Sequence, residues 1–198
     1  MEILHAAEIL DRTNTKPELV PAAHQLDMDG IIAQLTPEGF LALPAGDETE
    51  GLARALDSGE VTRGASGRIW HTEIYEHARK IYDFAAKHQP RMLIGHGLGA
   101  GAAQILSTSL DIPAICFGSP MSLRGRRWVK GENKVLNICR RDDLITRFPP
   151  VWLKFRHVGK VHWISTGNPK PKTGHEISDY VHAIETGRVR PSLPVSWI

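Results

Sequence analysis

Leu93-Ile-Gly-His-Gly-Leu-Gly-Ala-Gly-Ala102 is the stretch on which the reading of this chain turns. It opens as a short apolar run, Met92 to Ile94, and from Gly99 to Leu110 it continues as a small-residue helix. Between the two, glycine recurs at Gly95, Gly97, Gly99 and Gly101. When a strand bends this sharply into a helix, side chains two residues either side of the apex collide unless they are small. The apex here is Gly97, between His96 and Leu98. Turns of this layout serve nucleophilic catalysis because the strained apex aims its side chain into a site. Glycine brings no side chain to aim. Two further readings fit the spacing: a dinucleotide-binding fingerprint, Gly95-x-Gly97-x-x-Ala100, and a purely structural turn. The fingerprint wants an acid at the end of the next strand to hold a ribose, and that strand ends Phe117-Gly-Ser-Pro120. A phosphate loop would need Gly-Lys-[Ser/Thr], which is missing as well.

Working outward, Thr72 to His88 reads as an amphipathic helix with Ile74, Ala78, Ile81 and Ala85 on one face and Pro90 after its end. Downstream, strands are expected at Ala114 to Phe117, Val135 to Cys139 and Val158 to Ile164, with a basic helix or loop around Arg124 and a closing helix from Glu176 to Thr186. Upstream, Met28 to Leu35 and Phe40 to Leu43 form a hairpin around Thr36-Pro-Glu-Gly39. Residues 1–25 are expected to be an N-terminal arm or helix, Glu50 to Leu56 a helical turn, and Ser58 to Gly67, with its three glycines, a mobile loop. Strands alternating with helices predict an α/β fold, a mainly parallel central sheet covered on both faces, with the hairpin at its N-terminal side. At 198 residues the whole chain, 1–198, is expected to be one domain.

Acid and then histidine follow the turn, in Arg141-Asp-Asp-Leu-Ile-Thr-Arg-Phe-Pro149 and His175-Glu-Ile-Ser-Asp-Tyr180. Nucleophile, acid, histidine is the chain order of α/β-hydrolase triads. On these residues the chain resembles the class 3 lipases, the fungal-lipase-like family. Gly95-His-Gly-Leu-Gly99 is similar to that family's Gly-His-Ser-Leu-Gly with the serine replaced, and Phe117-Gly-Ser-Pro120 to its Phe-Gly-x-Pro. Asp143-Leu-Ile-Thr-Arg-Phe-Pro149 resembles its Asp-x-Val-x-x-Leu-Pro, Phe155-Arg-His-Val-Gly159 its next strand, and the segment at His175 the one bearing its triad histidine. Leu43-Pro-Ala-Gly-Asp47 could stand for its oxyanion-hole segment and His71 for its histidine before the first long helix. The resemblance runs from Asp29 to Glu185.

The resemblance implies an α/β-hydrolase fold with catalytic positions at Gly97 (nucleophile, serine lost), Asp143 and His175, an oxyanion hole from Leu98 and either Gly46 or Asp47, and an elbow of Gly95, His96 and Gly99. Asp142 is the rival acid, which the motif register disfavours. Ser119 and Ser66 are off the elbow and are read as structural. Without a nucleophile the expectation is a catalytically inactive protein using a hydrolase scaffold for binding an ester or lipid-like molecule, or as part of an assembly with a protein partner. The alternative is a carboxylic-ester hydrolase with a Ser-Asp-His triad, present here as a serine-to-glycine variant. Only Asp57 to Arg68 could serve as a lid. His96 is expected to be a buried packing partner, His157 and His162 to pack or hydrogen-bond on their strand, and Trp152, Trp163 and Trp197 to pack in core or rim or to line a cleft.

The bulk chemistry agrees with this restraint. The chain is 41% hydrophobic and 23% charged with a net charge of +2, which gives no reason to expect nucleic acid. Arg124-Gly-Arg126-Arg127 and Arg140-Arg141 are basic clusters read as solvated faces, with an anion or membrane surface as the lesser alternative. Cys116 and Cys139 sit in apolar runs and are read as reduced core residues; no cofactor and no metal site is expected. No apolar run approaches a membrane span, and the early acids of Met1-Glu-Ile-Leu-His-Ala-Ala-Glu8 do not make a signal peptide. The expectation is a cytoplasmic protein, or one released without a signal peptide, or a component of a larger particle.

Overall fold

A computed structural model describes residues 1–45, 58–165, 175–187 and 193–198. Its centre is a seven-stranded sheet in the order β1-β2-β3-β6-β7-β9-β11. The strands are β1 (His24–Met28), β2 (Ile31–Leu35), β3 (Phe40–Leu43), β6 (Met92–His96), β7 (Ala114–Phe117), β9 (Val135–Arg140) and β11 (Lys160–Ile164). β3, β6, β7, β9 and β11 run parallel; β2 pairs antiparallel with β3, and β1 antiparallel with β2. The helices are α1 (Ile3–Thr15), α2 (Thr72–His88), α3 (Gly97–Leu110) and α4 (Ile177–Glu185).

Both faces of the sheet are covered, which follows from side chains that alternate across each strand. Leu41, Leu43, Leu93, Ala114, Cys116 and Val135 point to one face and pack under α2 and α3. Ala42, Ile94, Ile115, Phe117, Leu136 and Ile138 point to the other and pack under α1 and α4. β6, β7 and β9 are buried along their whole length. β6 and β7 therefore read as apolar runs, Met92 to Ile94 and Ala114 to Phe117, rather than as alternation, while β9 buries Asn137 and Arg140 among its apolar residues.

Three expectations need correction. Residues 24 and 25 are not part of an arm but begin β1, which pairs with β2 from Met28↔Ile31 to His24↔Leu35. Asp29 and Gly30 form the two-residue turn between them, at φ 52° and 76°. Both central residues of a tight hairpin turn require positive φ, which Asp-Gly supplies. Ser58 to Gly67 is not a mobile loop throughout: β4 (Val61–Arg63) pairs with β5 (Ile69–His71). β4 is three residues long and largely exposed, so it leaves no periodic signal. β5 joins β8 (Leu123–Arg124) and β10 (Phe155–Arg156) in a second, four-stranded antiparallel sheet, β10-β8-β5-β4. The basic stretch after β7, expected to be a helix or a loop, is a loop that begins with the two-residue strand β8. Finally, Val158 does not begin the last strand, which starts at Lys160. The expected helical turn over Glu50 to Leu56 lies outside the described residues.

The N-terminal helix is part of the core. Ile3, Ala6, Ala7 and Leu10 are buried at helical spacing on the α4 side of the sheet. Leu10 is fully buried, so Leu10→Ala should cost about 2–5 kcal/mol in urea unfolding, as a core leucine does. A loss under about 0.5 kcal/mol would show that α1 is a dispensable appendage.

Candidate active site

The parallel strands place their carboxyl ends at one edge of the sheet, where open α/β folds form their sites. Three connections meet there. The first follows β6. Gly97 opens α3 with φ 55°, in the left-handed region. The flanking glycines are demanded by close approach. A Cβ on Gly95 would lie 2.7 Å from the Ala100 Cα, and a Cβ on Gly99 would run into the Leu43 carbonyl oxygen. The first turn of α3 is thus pressed against the end of β3. Leu98, largely buried, is in that first turn, so its N–H is one of those that a helix leaves without an intrahelical acceptor.

The second connection follows β9. Asp143 is fully buried, and its carboxylate is held from three sides. Oδ1 accepts the Ile145 backbone N–H at 3.0 Å. Oδ2 accepts the Tyr180 hydroxyl at 2.8 Å and the His175 Nδ1–H at 2.9 Å. Thr146 Oγ1 donates to the Asp143 carbonyl at 2.7 Å and fixes the turn. Burial, then the Asp143 charge, holds the Tyr180 phenol well above its usual pKa, so it stays a donor. Asp142 faces differently: Arg140 Nε and Nη2 bind its two oxygens at 3.1 and 2.8 Å. Burial pushes the Asp142 carboxyl up, but the Arg140 guanidinium outweighs it and holds the pKa low. The two adjacent acids are separated by geometry, and only Asp143 meets a histidine.

That histidine, His175, stands just before α4 with its ring stacked on His96, centroids 4.7 Å apart. His96 Nε2–H also donates to the His175 carbonyl at 2.6 Å. Since His96 immediately precedes Gly97, His175 is held beside the elbow. With its Nδ1 proton given to Asp143, a neutral His175 carries its basic lone pair on Nε2. Gly95, His96, Gly97, Leu98, Gly99, Asp143 and His175 are therefore brought to one place. Gly46 and Asp47 lie outside the described residues.

The third connection, after β7, holds a residue whose role spacing alone did not reveal. Gly118 has φ 58°, and a Cβ there would lie 3.0 Å from Asp143 Oδ2 and 3.1 Å from His175 Cε1. The glycine of Phe117-Gly-Ser-Pro makes room for the acid–histidine pair. Tyr180 was legible as part of the motif, but not as a donor to Asp143. Ser119 is fully buried and donates to Asn137 Oδ1 at 2.8 Å, with His157 Nδ1 at 3.3 Å. His157 Nε2–H donates to the Thr146 carbonyl at 3.1 Å, so this network braces the Asp143 turn from below. Ser66 is exposed between β4 and β5. His71 ends β5 at the start of α2, buried 5.7 Å from the Phe155 ring. Trp163 packs edge-on to His157, and Trp197 donates to the Lys134 carbonyl, whereas Trp152 is 77% exposed. Cys116 and Cys139 are free and buried, and burial drives both thiols far up in pKa.

As a sequence, the chain matches no protein-family model and no curated protein. As a structure it matches lipases. Lipase II from Rhizopus niveus superposes with a TM-score of 0.58 at 13% identity, covering 81% of this chain and 77% of that one. Lip2 lipase from Yarrowia lipolytica gives 0.57 at 12% identity, with 83% and 79% covered. A further fungal lipase gives 0.61 at 12%, with 89% and 81% covered. The fold is that of the fungal lipases. At such identities the likeness carries the architecture of this lipase-like chain and leaves its chemistry to its own residues. Among the described residues no helix is long and apolar enough to cross a membrane. The one lid candidate, in its described part from Ser58 to Arg68, is taken up by β4 and the turn after it.

Two predictions follow from this geometry. Gly118→Ala puts a methyl group against His175 from a left-handed backbone, at a cost of about 1–2 kcal/mol from the backbone alone. The low-field N–H proton signal of a His–Asp pair, expected for the parent chain in NMR, should be lost or shifted. An unchanged signal would mean that the pair does not depend on Gly118. The second concerns pH. Burial lowers His77 and His157 to about 4, with Lys80 reinforcing the shift at His77 and the Thr146 carbonyl opposing it at His157. Both are neutral in the folded chain, while the unfolded chain takes up protons below its ordinary histidine pKa of ~6.5. Their stabilising contribution is complete above that value and is lost as pH falls toward 4, about 2 kcal/mol each by pH 5. Urea midpoints that stay constant between pH 7.5 and 5 would contradict it.

Proposed function

We propose that this chain is a lipase-like scaffold without esterase activity of its own, which binds an ester or lipid-like molecule at the Gly97–Asp143–His175 site. The reading rests on one observation: a glycine with φ 55° stands at the apex of the elbow, beside a histidine hydrogen-bonded to a buried aspartate. In an ester hydrolase a serine at that apex would attack the carbonyl carbon. His175 Nε2 would take the serine proton, and Asp143 would orient the ring and stabilise the imidazolium. The Leu98 N–H would face the developing oxyanion. In this chain base, orienting acid and helix N-terminus are assigned to residues, and the attacking oxygen is not. A hydrolase that loses its serine keeps only about 10³–10⁴ over the uncatalysed rate, from binding and the oxyanion hole.

Glycine is also the favourable residue at such an apex. An L-residue in the left-handed region costs about 1–2 kcal/mol, which an enzyme tolerates for the sake of its nucleophile. Once hydrolysis is no longer selected, replacement by glycine removes that strain. The companion reading, an ester hydrolase present here as a serine-to-glycine variant, draws on the His175–Asp143–Tyr180 hydrogen bonds, which would give a serine at position 97 its base and its orienting acid. A serine codon at position 97 in the source gene would select it. A structural role in a larger assembly is the other non-catalytic possibility, and co-purification with a partner chain would select that.

Gly97→Ser tests the placement directly. The variant should lose about 1–2 kcal/mol of stability and hydrolyse 4-nitrophenyl butyrate about a hundredfold or more faster than the parent chain. It should also take up a fluorophosphonate that leaves the parent unlabelled. A folded Gly97→Ser protein that is inert to both reagents would refute the assignment of residue 97 to the nucleophile position.

A further inference from the structure

The basic cluster Arg124-Gly-Arg126-Arg127 has no part in the site, and neither do the most exposed apolar side chains near it. The fold brings the two together. β8 and β10 pair with Arg124 opposite Phe155, and the Gly125 N–H donates to the Lys154 carbonyl at 2.9 Å. Trp128, three residues after Gly125, is 57% exposed; Val151 and Trp152, just before Lys154, are 71% and 77% exposed.

The loop from Gly125 to Trp128 is held from beneath. Arg156 donates to the Gly125 and Arg127 carbonyls at 3.2 and 2.8 Å, with its guanidinium anchored on Glu132 at 2.9 Å. Arg68 donates to the Trp128 carbonyl at 2.9 Å. These carbonyls are thus satisfied by the protein, while the Arg126, Arg127 and Trp128 side chains are exposed. The charge of this region is one-sided. Residues 124–130 hold four basic residues and 144–156 hold three, with no acid in either; Glu132 is taken up by Arg156 and the Val129 N–H, which leaves the exposed Arg126, Arg127 and Lys154 with no acid in their own segments.

We propose that Trp128, Val151 and Trp152, with Arg126, Arg127 and Lys154, form a docking surface for an anionic membrane. Indole rings settle at the boundary of headgroups and acyl chains, and guanidinium and ammonium groups face lipid phosphates. Nucleic acid would satisfy the cations and stack on the indoles. The aliphatic member favours a lipid surface, because Val151, 71% exposed, gains by burial among acyl chains and has no ring on which a base could stack. The proposal is independent of the reading of Gly97.

Sedimentation of the full chain with lipid vesicles tests it. Vesicles of phosphatidylcholine with about 30 mol % phosphatidylserine should bind, and phosphatidylcholine alone should bind far less. Binding should weaken about tenfold or more between about 0.05 and 0.5 M salt. R126E/R127E should lower the partition coefficient at least about tenfold. W128A/W152A should lower it while keeping the salt dependence. Melting curves by circular dichroism verify that both variants are folded. The proposal is overturned if neither vesicle binds, if both variants bind like the parent, or if a labelled single-stranded oligonucleotide binds through Arg126 and Arg127 while vesicles do not. None of the substituted residues belongs to the elbow or the acid–histidine pair. An inert Gly97→Ser variant would therefore leave this result standing, and the reverse holds as well.

Discussion

The tight contact between the first turn of α3 and the end of β3 is the constraint from which the rest of the site follows. Space for it exists because Gly99 lacks a Cβ, which would press on the Leu43 carbonyl, and the bend that delivers the helix there closes because Gly95 lacks one too, which would press on Ala100. The contact drives the intervening residue into the left-handed region, and it brings the helix N-terminus, with its unsatisfied N–H groups, to the carboxyl edge of the sheet. A looser strand-to-helix connection would accept ordinary residues at all three positions. It would also leave no raised apex for a histidine to approach.

Asp143 imposes the second constraint. Burying a carboxylate costs several kcal/mol unless donors replace its water. Here the Ile145 N–H, the Tyr180 hydroxyl and the His175 ring do so. Hydrogen bonds to a charged group contribute about 1.5–3 kcal/mol each, so losing any one leaves a deficit that the others cannot make up. This ties α4, which carries Tyr180, to the turn after β9, and makes the acid–histidine pair part of the fold's stability whatever chemistry it serves. Beneath it, Ser119, Asn137, His157 and Thr146 form a buried network that fixes the same turn. Both arrangements depend on fully desolvated polar groups, which is why each is closed by specific partners.

The two sheets divide the labour. The large one is a two-faced core whose strands need only be apolar, and it supplies rigid carboxyl ends. The small one, β10-β8-β5-β4, gathers short segments from three separate connections and is the support on which the exposed indoles and arginines stand. Arg156 and Arg68 serve this second layer by spending their donors on loop carbonyls. They are structural cations, distinct in role from the exposed arginines they hold in place.

What was legible in the sequence was local. The glycine spacing around Gly97 states a steric demand between residues close in the chain. The period of Thr72–His88, the apolar runs of β6 and β7 and the mainly apolar β9 each report burial without knowledge of the partner. From these, with the order of Asp143 and His175, the layered α/β arrangement could be anticipated. β1 was missed although Asp29-Gly30 announces its turn, because exposed His24 and Gln25 do not look like strand residues. β4 was missed because three exposed residues carry no period. Only the tertiary structure could show that Asp143 is held jointly by His175 and Tyr180, that Gly118 makes room for the acid–histidine pair, and that the loop after Arg124 lies against the segment ending at Lys154. Each of these is a contact between segments far apart in the chain, and nothing in the local pattern of either segment encodes the geometry of the other.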